Sequence, residues 1–368
     1  MIHFKTIAWF LTGVLTCALT ASAAEVSDTF NKRNDSYGAE LEQYFRDYLV
    51  TQYPERAANV WHRSYQNQQA YLTSVEPNRK RYRRMFAPPD LKPTGPLERK
   101  PLDIPGVKAE WLTLPLGFIK AEALLVIPED LTAPAPLIIA QHGIESFPER
   151  VFGVADDQNL YHDYGHVLVK EGFAVLAPIN LSFVPNRNRI ERLARLADTT
   201  LPGLELRRVQ LLLDEVLKDK RIDKERIGMW GISLGGMATM FWMPLEPRIQ
   251  CGVVTAWFNQ RRNKMVIPDP RYSCFLETKE EHAFFRGWLT EFTDSDVASL
   301  ICPRPLLVQT GKKDGIAWWP QVIEEFDASK EHYKKLGIED RIEMDLHDGG
   351  HEIRVESGVP FLKKWLMR

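Results

Sequence analysis

The stretch Arg226–Met243, "RIGMWGISLGGMATMFWM", places Ser233 between glycines at the join of two apolar runs. "RIGMW" leads in as a strand and "MATMFWM" leads out as a helix. The pattern Gly231-Ile-Ser233-Leu-Gly235 is weak alone; at average residue usage roughly one chain in ten of this length carries it by chance. The setting makes it informative. A sharp strand-to-helix turn crowds the backbone around its central residue, and glycines two before and two after remove the Cβ atoms that would clash. Such a turn lifts the Ser233 hydroxyl clear of a sheet, at the amino end of a helix whose dipole favours developing negative charge. The competing reading is a tight turn in which Ser233 only caps the helix.

Outward from this stretch, strands and helices alternate. "KAEWLTLPL" (108–116) and "KAEALLVIP" (120–128) read as an antiparallel pair. "APLIIAQHG" (135–143) is a short apolar run closed by turn residues, as expected of a buried strand. "YGHVLVKEG" reads as helix, "FAVLAPIN" as strand and "ELRRVQLLLDEVLKD" as helix. "QCGVVTAW", "RPLLVQTG" and "RIEMDLH" are further strands, and "PFLKKWLM" is a closing helix. This order predicts an α/β fold with a mostly parallel central sheet and helices on both faces. Two long stretches read as irregular, Leu181–Gly203 and Asn259–Ser299. Both follow strand ends, where ligands of parallel sheets bind.

Before residue 106 the pattern differs. "YGAELEQYFRDYLVTQYP" and "ANVWHRSYQNQQAYLTSV" have helical spacing, and "RKRYRR" (79–84) reads as a solvated helix face. A proline-rich connector follows. The first residues, "MIHFKTIAWFLTGVLTCALTASAA", combine an early lysine, an apolar run too short to span a bilayer and small residues suited to signal peptidase. The expected organisation is a signal peptide at 1–24, a helical region with connector at 25–105 and a catalytic domain at 106–368. The mature chain is expected to be exported, periplasmic or extracellular, without stable membrane insertion.

Composition narrows the function. Lys+Arg number 47 and Asp+Glu 49, a net charge of −2, so no field gathers nucleic acid. Beyond Cys17, three cysteines remain, Cys251, Cys274 and Cys302, too few for a disulfide framework; whether two pair is open. No His/Cys cluster has zinc spacing, and neither a metal nor a cofactor is expected.

A nucleophilic serine needs a base and an orienting acid, following it on later strand ends. Asp314 lies just beyond "RPLLVQTG", and His351 lies beyond the last strand in "HDGGHE". Asp314 also fits an ordinary turn, with Asp294 or Asp296 as its substitutes. His347 competes with His351, but the "GGH" turn frees His351 to swing inward. The oxyanion donors are expected from the backbone N–H groups of Leu234 and Ile144. His142 reads as a hydrogen-bonding residue of the Ile144 loop. His142, Glu145, Trp257 and Trp318 are candidates for the pocket wall.

These motifs together, "QHGIE", "YGHVLVKEGFAVLAP", "RIGMWGISLGGMATM", "ICPRPLLVQTGKKD" and "DGGHE", resemble the α/β-hydrolase superfamily from about Lys108 to the end. More narrowly, the chain is similar to exported members of the dienelactone-hydrolase-like and acetyl-xylan-esterase-like groups. The resemblance implies a Ser233, Asp314, His351 triad and ester hydrolysis through an acyl-enzyme. Dienelactone hydrolases proper carry cysteine where this chain has Ser233, which favours an esterase. Glucuronoyl esterases carry arginine directly after the serine; Leu234 counts against that substrate.

The substrate is expected to be a small-molecule or saccharide ester. Trp257, Phe258, Trp288, Trp318 and Trp319 fall near strand ends, where sugar rings stack and core neighbours pack equally well. Arg187, Arg189, Arg192 and Arg195 in "NRNRIERLAR" would suit an acidic sugar, or simply face water. The alternatives are a peptidase, a lactone or dienelactone hydrolase, and a non-catalytic binding protein on the same scaffold.

Overall fold

A computed structural model describes residues 7–367, with side chains from residue 24 on. The first six residues of the expected signal peptide lie outside the described residues, and of 7–23 only the helical backbone is described. No described helix is long and apolar enough to cross a membrane. The chain's contacts divide it into two compact units, 1–52 and 53–368. The first is helix α1 (Ile7–Arg46) with a short π-helical turn, Asp47–Thr51.

The second unit begins with α2 (Tyr53–Val60) and α3 (Gln68–Phe86). These helices dock on the body of that unit, because Tyr71, Val75, Tyr82 and Phe86 are all buried. The "RKRYRR" run departs from the expected solvated face. Tyr82 is buried, Arg79 donates to the Pro244 and Leu300 carbonyls (2.8 and 3.0 Å), and Arg81 pairs with Glu291 (2.7 Å). Donors placed on carbonyls at helix C-termini satisfy groups that the helices leave unpaired. The connector holds a strand that the sequence reading missed, β1 (Glu98–Ile104). Its Pro101 is tolerated because β1 is the outermost strand of the sheet.

The chain continues through β2 (Val107–Leu116), β3 (Ile119–Val126), β4 (Ala135–Gln141), α4 (Tyr164–Lys170) and β5 (Ala174–Pro178). Next come α5 (Val184–Leu196), α6 (Leu201–Val216), β6 (Ile222–Ile232), α7 (Leu234–Trp242) and β7 (Ile249–Thr255). Short helices α8 (Arg261–Val266), α9 (Trp288–Glu291) and α10 (Asp294–Ile301) precede β8 (Leu306–Gly311). Then α11 (Trp319–Lys335), β9 (Ile342–His347) and α12 (Val355–Leu366) close the chain.

The nine strands form one sheet in the order β1-β2-β3-β5-β4-β6-β7-β8-β9. The first three strands are antiparallel, β3 pairs antiparallel with β5, and the six from β5 to β9 are parallel. Every residue of β4 and β8 is buried, as expected where helices cover both faces. The chain leaves β4 to one side for β5 and returns to its other side for β6. That switch point opens a crevice beyond the carboxyl ends of β4 and β6.

Both stretches read as irregular contain helices. Residues 181–203 hold α5 and the start of α6. The inward face of α5 is ionic rather than apolar: Arg187, fully buried, pairs with Glu205 (2.7 Å), and Glu191 accepts from Arg195 and Leu201 N (both 2.8 Å). A charged inner face hides from an apolar period. Cys251, Cys274 and Cys302 are buried free thiols, which settles their pairing state in this structure.

Candidate active site

Ser233 occupies φ 58°, ψ −119°, a strained conformation for any residue with a side chain. Two close approaches enforce it. A Cβ on Gly231 would lie 2.1 Å from the Gly235 carbonyl oxygen, and one on Gly235 would lie 2.0 Å from the Gln141 carbonyl oxygen of β4. Ser233 N donates to Thr255 O of β7 (2.9 Å), so the turn is pinned between both neighbouring strands. The Ser233 hydroxyl makes no capping bond to α7, which removes the helix-cap reading. Gly235→Ala is expected to cost about 3 kcal/mol or more, since backbone rather than a flexible side chain would have to give way. Urea unfolding against the wild type checks this; a loss under about 1 kcal/mol would contradict it.

The loops after β8 and β9 are stitched together. Lys312 N donates to His347 O and Lys313 N to Gly349 O, both at 2.9 Å. This brings Asp314 Oδ2 to 2.9 Å from His351 Nδ1, while Asp314 Oδ1 accepts from Ile316 N (3.1 Å). The buried carboxylate thereby fixes Nδ1 as the protonated nitrogen and leaves Nε2 for the cavity. His347 is turned away. Its Nδ1 accepts from Gly349 N (3.2 Å), and burial lowers its pKa. Asp294 and Asp296 are spent elsewhere, on Arg261 (2.8 Å) and Arg63 (2.5 Å).

Ser233, His351 and Asp314 line one cavity of about 240 Å³, together with Ile144, Leu234 and Trp257. That is room for about eight waters at liquid density. Among the described residues, the N–H groups of Ile144 and Leu234 have no acceptor within the protein. The Ile144 loop is held from below. His142, fully buried, donates from Nδ1 to Gly143 O (2.8 Å) and accepts at Nε2 from Asn180 N (3.2 Å). Gly143 N donates to Tyr161 Oη (2.8 Å), which donates to Ser146 Oγ (2.8 Å).

Three of the four candidates for the pocket wall are placed elsewhere. His142 lies behind the wall, and burial pushes its pKa down to about 4. Glu145 is exposed, with φ 51°. Trp318 lies beneath the Arg271 guanidinium, 3.7 Å from its ring centre, just past the lining residues Ile316 and Ala317. Trp288 belongs to an aromatic cluster with Phe241 and Phe285, and Trp319 opens α11. Trp257 and Phe258 do line the cavity. The sequence reading missed Lys264, Glu280 and His282, which also line it from the second long stretch.

Three of the α5 arginines are engaged. Beyond the Arg187 pair, Arg192 binds Glu281 (2.8 Å), and Arg195 donates to the Glu281 and Phe284 carbonyls (both 2.7 Å). Asn188 donates to Lys279 O. These bonds brace α5 against the segment that carries Glu280 and His282 over the cavity.

Burial holds His142 neutral with its pKa down near 4, and His282 and His332 with theirs down to about 3, from an ordinary 6.5. The unfolded chain takes up these protons below pH 6.5 while the native state refuses them. Stability is therefore expected to fall as pH drops from 6.5 toward 4. Urea midpoints at pH 7 and pH 4.5 test this; equal midpoints would contradict it.

The sheet order, the serine turn on β6 and the acid and histidine on later strand ends define the α/β-hydrolase fold. No family model matches the chain. It is 26% identical over 274 residues to YtaP of Bacillus subtilis, a protein assigned as a hydrolase, covering 70% of this chain and 88% of that one. A Bacteroides fragilis protein assigned as an acetyl xylan esterase superposes with TM-score 0.64 at 18% identity, over 78% of each chain. A glucuronoyl esterase from Solibacter usitatus superposes at 0.59 and 14% identity, over 81% of this chain and 94% of that one.

Proposed function

We propose that the protein is an exported serine carboxylesterase that removes acetyl or similarly small acyl groups from carbohydrate. The observation that carries the reading is Ser233, held strained and uncapped in one cavity with a histidine whose Nδ1 is bonded to a buried aspartate. The names of the esterases that share its fold support the substrate class. The arginine associated with glucuronoyl esterases is replaced here by Leu234, which favours simple acyl esters.

In this mechanism Ser233 Oγ attacks the ester carbonyl as His351 Nε2 takes its proton. Asp314 keeps the imidazole in the required tautomer and stabilises the imidazolium. The N–H groups of Leu234 and Ile144 receive the oxyanion. His351 then protonates the departing alcohol, activates water, and the acyl-enzyme is hydrolysed. No step calls on a cofactor. The signal peptide at 1–24 would deliver the chain to extracytoplasmic esters, leaving the hydrolase fold at 106–368 to do the chemistry.

Intact-mass labelling with a fluorophosphonate tests the reading. One adduct on the wild type and none on Ser233→Ala is expected. A folded wild type that takes no adduct would remove the serine mechanism.

A further inference from the structure

The loop that carries His351 is fixed on a second side, away from β8. Glu352 turns its carboxylate back under the turn before His351, where Oε1 accepts from Gly350 N (3.1 Å). A Cβ on Gly349 would overlap that same oxygen, and one on Gly311 would overlap the Gly349 and Gly350 carbonyl oxygens. The two glycines before His351 therefore answer a packing demand, with the end of β8 on one side of the turn and a carboxylate on the other. They serve close approach here and not freedom to swing.

The other Glu352 oxygen reaches the connection between β4 and α4. His162 Nε2 donates to Oε2 (2.7 Å), and His162 Nδ1 accepts from Asn159 Nδ2 (3.0 Å). The backbone repeats the link, since Ile353 N donates to Leu160 O (2.8 Å). Leu160 and His162 flank Tyr161, whose hydroxyl accepts from Gly143 N beneath the oxyanion loop (2.8 Å). The segment Leu160–His162 thus holds the base loop with its outer residues and the oxyanion loop with its middle one. Asp156 clamps the segment, Oδ1 accepting from Leu160 N (3.0 Å) and Oδ2 from Tyr161 N (2.8 Å). Asn159, His162 and Asp163 hold φ of 51°, 49° and 50°, a region that residues with side chains occupy only where the surroundings impose it.

Neither Glu352 nor His162 lines the cavity, so both act through His351 and not on the substrate. Their pair is partly exposed, with side chains 22% and 30% accessible, and a pair in that setting adds little stability. Its effect is expected in the placement of the base.

We infer that Glu352 and His162 are positioning residues for His351, docking its loop on the segment that also carries the oxyanion loop, so that base and N–H donors keep one fixed separation. The effect on turnover rests on the esterase reading of Ser233; the docking itself does not.

Glu352→Ala, Glu352→Gln and His162→Ala test this by kcat and KM for phenyl acetate and by nitrogen NMR of the imidazoles, at a temperature where each variant is fully folded. Glu352→Ala is expected to lower kcat by about 10- to 100-fold with KM within about twofold, since about an ångström of drift in a base costs that much. Glu352→Gln keeps an oxygen for Gly350 N and is expected to bring kcat back to within about fivefold of wild type. His162→Ala leaves the turn itself intact and is expected to lose about fivefold in kcat, which decides the question if Glu352→Ala does not fold. By NMR, wild-type His351 is expected to carry its proton on Nδ1, and Glu352→Ala to mix the two tautomers. A folded Glu352→Ala with kcat within about threefold of wild type, a His162→Ala equal to wild type, or an unchanged His351 spectrum in Glu352→Ala overturns the inference. A wild type inert to fluorophosphonate and to phenyl acetate removes the esterase reading alone, and the inference then stands or falls on the His351 spectrum.

Discussion

Ser233→Ala is expected to lower kcat for a simple aryl acetate by on the order of 10⁶-fold, the size of loss that follows removal of a triad nucleophile. The methyl group keeps the turn's shape but provides no oxygen to attack the carbonyl. Unfolding transitions should barely move, because the variant keeps the same strained backbone at φ 58°. Ser233→Gly separates the two properties. Glycine adopts this conformation without penalty, so the variant should be equally inactive yet about 1 kcal/mol more stable than wild type. Residual activity in Ser233→Ala above about a thousandth of wild type would place the nucleophile elsewhere.

Asp314→Asn is expected to lower kcat by about 10⁴-fold at pH 7 with little change in fold. The amide can donate its own proton toward His351 Nδ1, which favours the tautomer whose Nε2 already carries hydrogen. Such a histidine cannot accept the Ser233 proton. The geometry makes Asp314 hard to replace, since Asp294 and Asp296 are held by Arg261 and Arg63. A loss below tenfold would show that the aspartate does not orient the base.

Much of this was legible from local rules. The alternation of apolar runs gave the eight strands from β2 onward, and the glycines at 231 and 235 announced a backbone too close to its neighbours for any side chain. The misses share a physical cause or an overlooked cue. Helix α5 hides because Arg187 and Glu191 face inward, so its buried stripe is ionic. Strand β1 hides behind Pro101, acceptable only at a sheet edge. Helix α11 was in plain view: Pro320 near its start, Val322, Phe326, Ser329 and Tyr333 buried at helical spacing, and Gly337 beyond its end. The Thr293–Asp296 capping box likewise announces α10. Within the site, Lys264, Glu280 and His282 could not be found from sequence, because no local pattern says which residues of a long insertion fold back over a cavity.

The bracing between α5 and the segment around Glu281 carries a consequence for any exchange of these loops. Arg192, Arg195 and Asn188 in one insertion find their partners in the other, although some ninety residues separate them along the chain. The sheet and its strand ends take no part in those bonds. The two insertions are therefore mechanically coupled: replacing one alone would break the ionic and carbonyl bonds that join the pair, and replacing both would still cut the anchors that tie them to α6, through Arg187 and Glu205, and to α3, through Glu291 and Arg81.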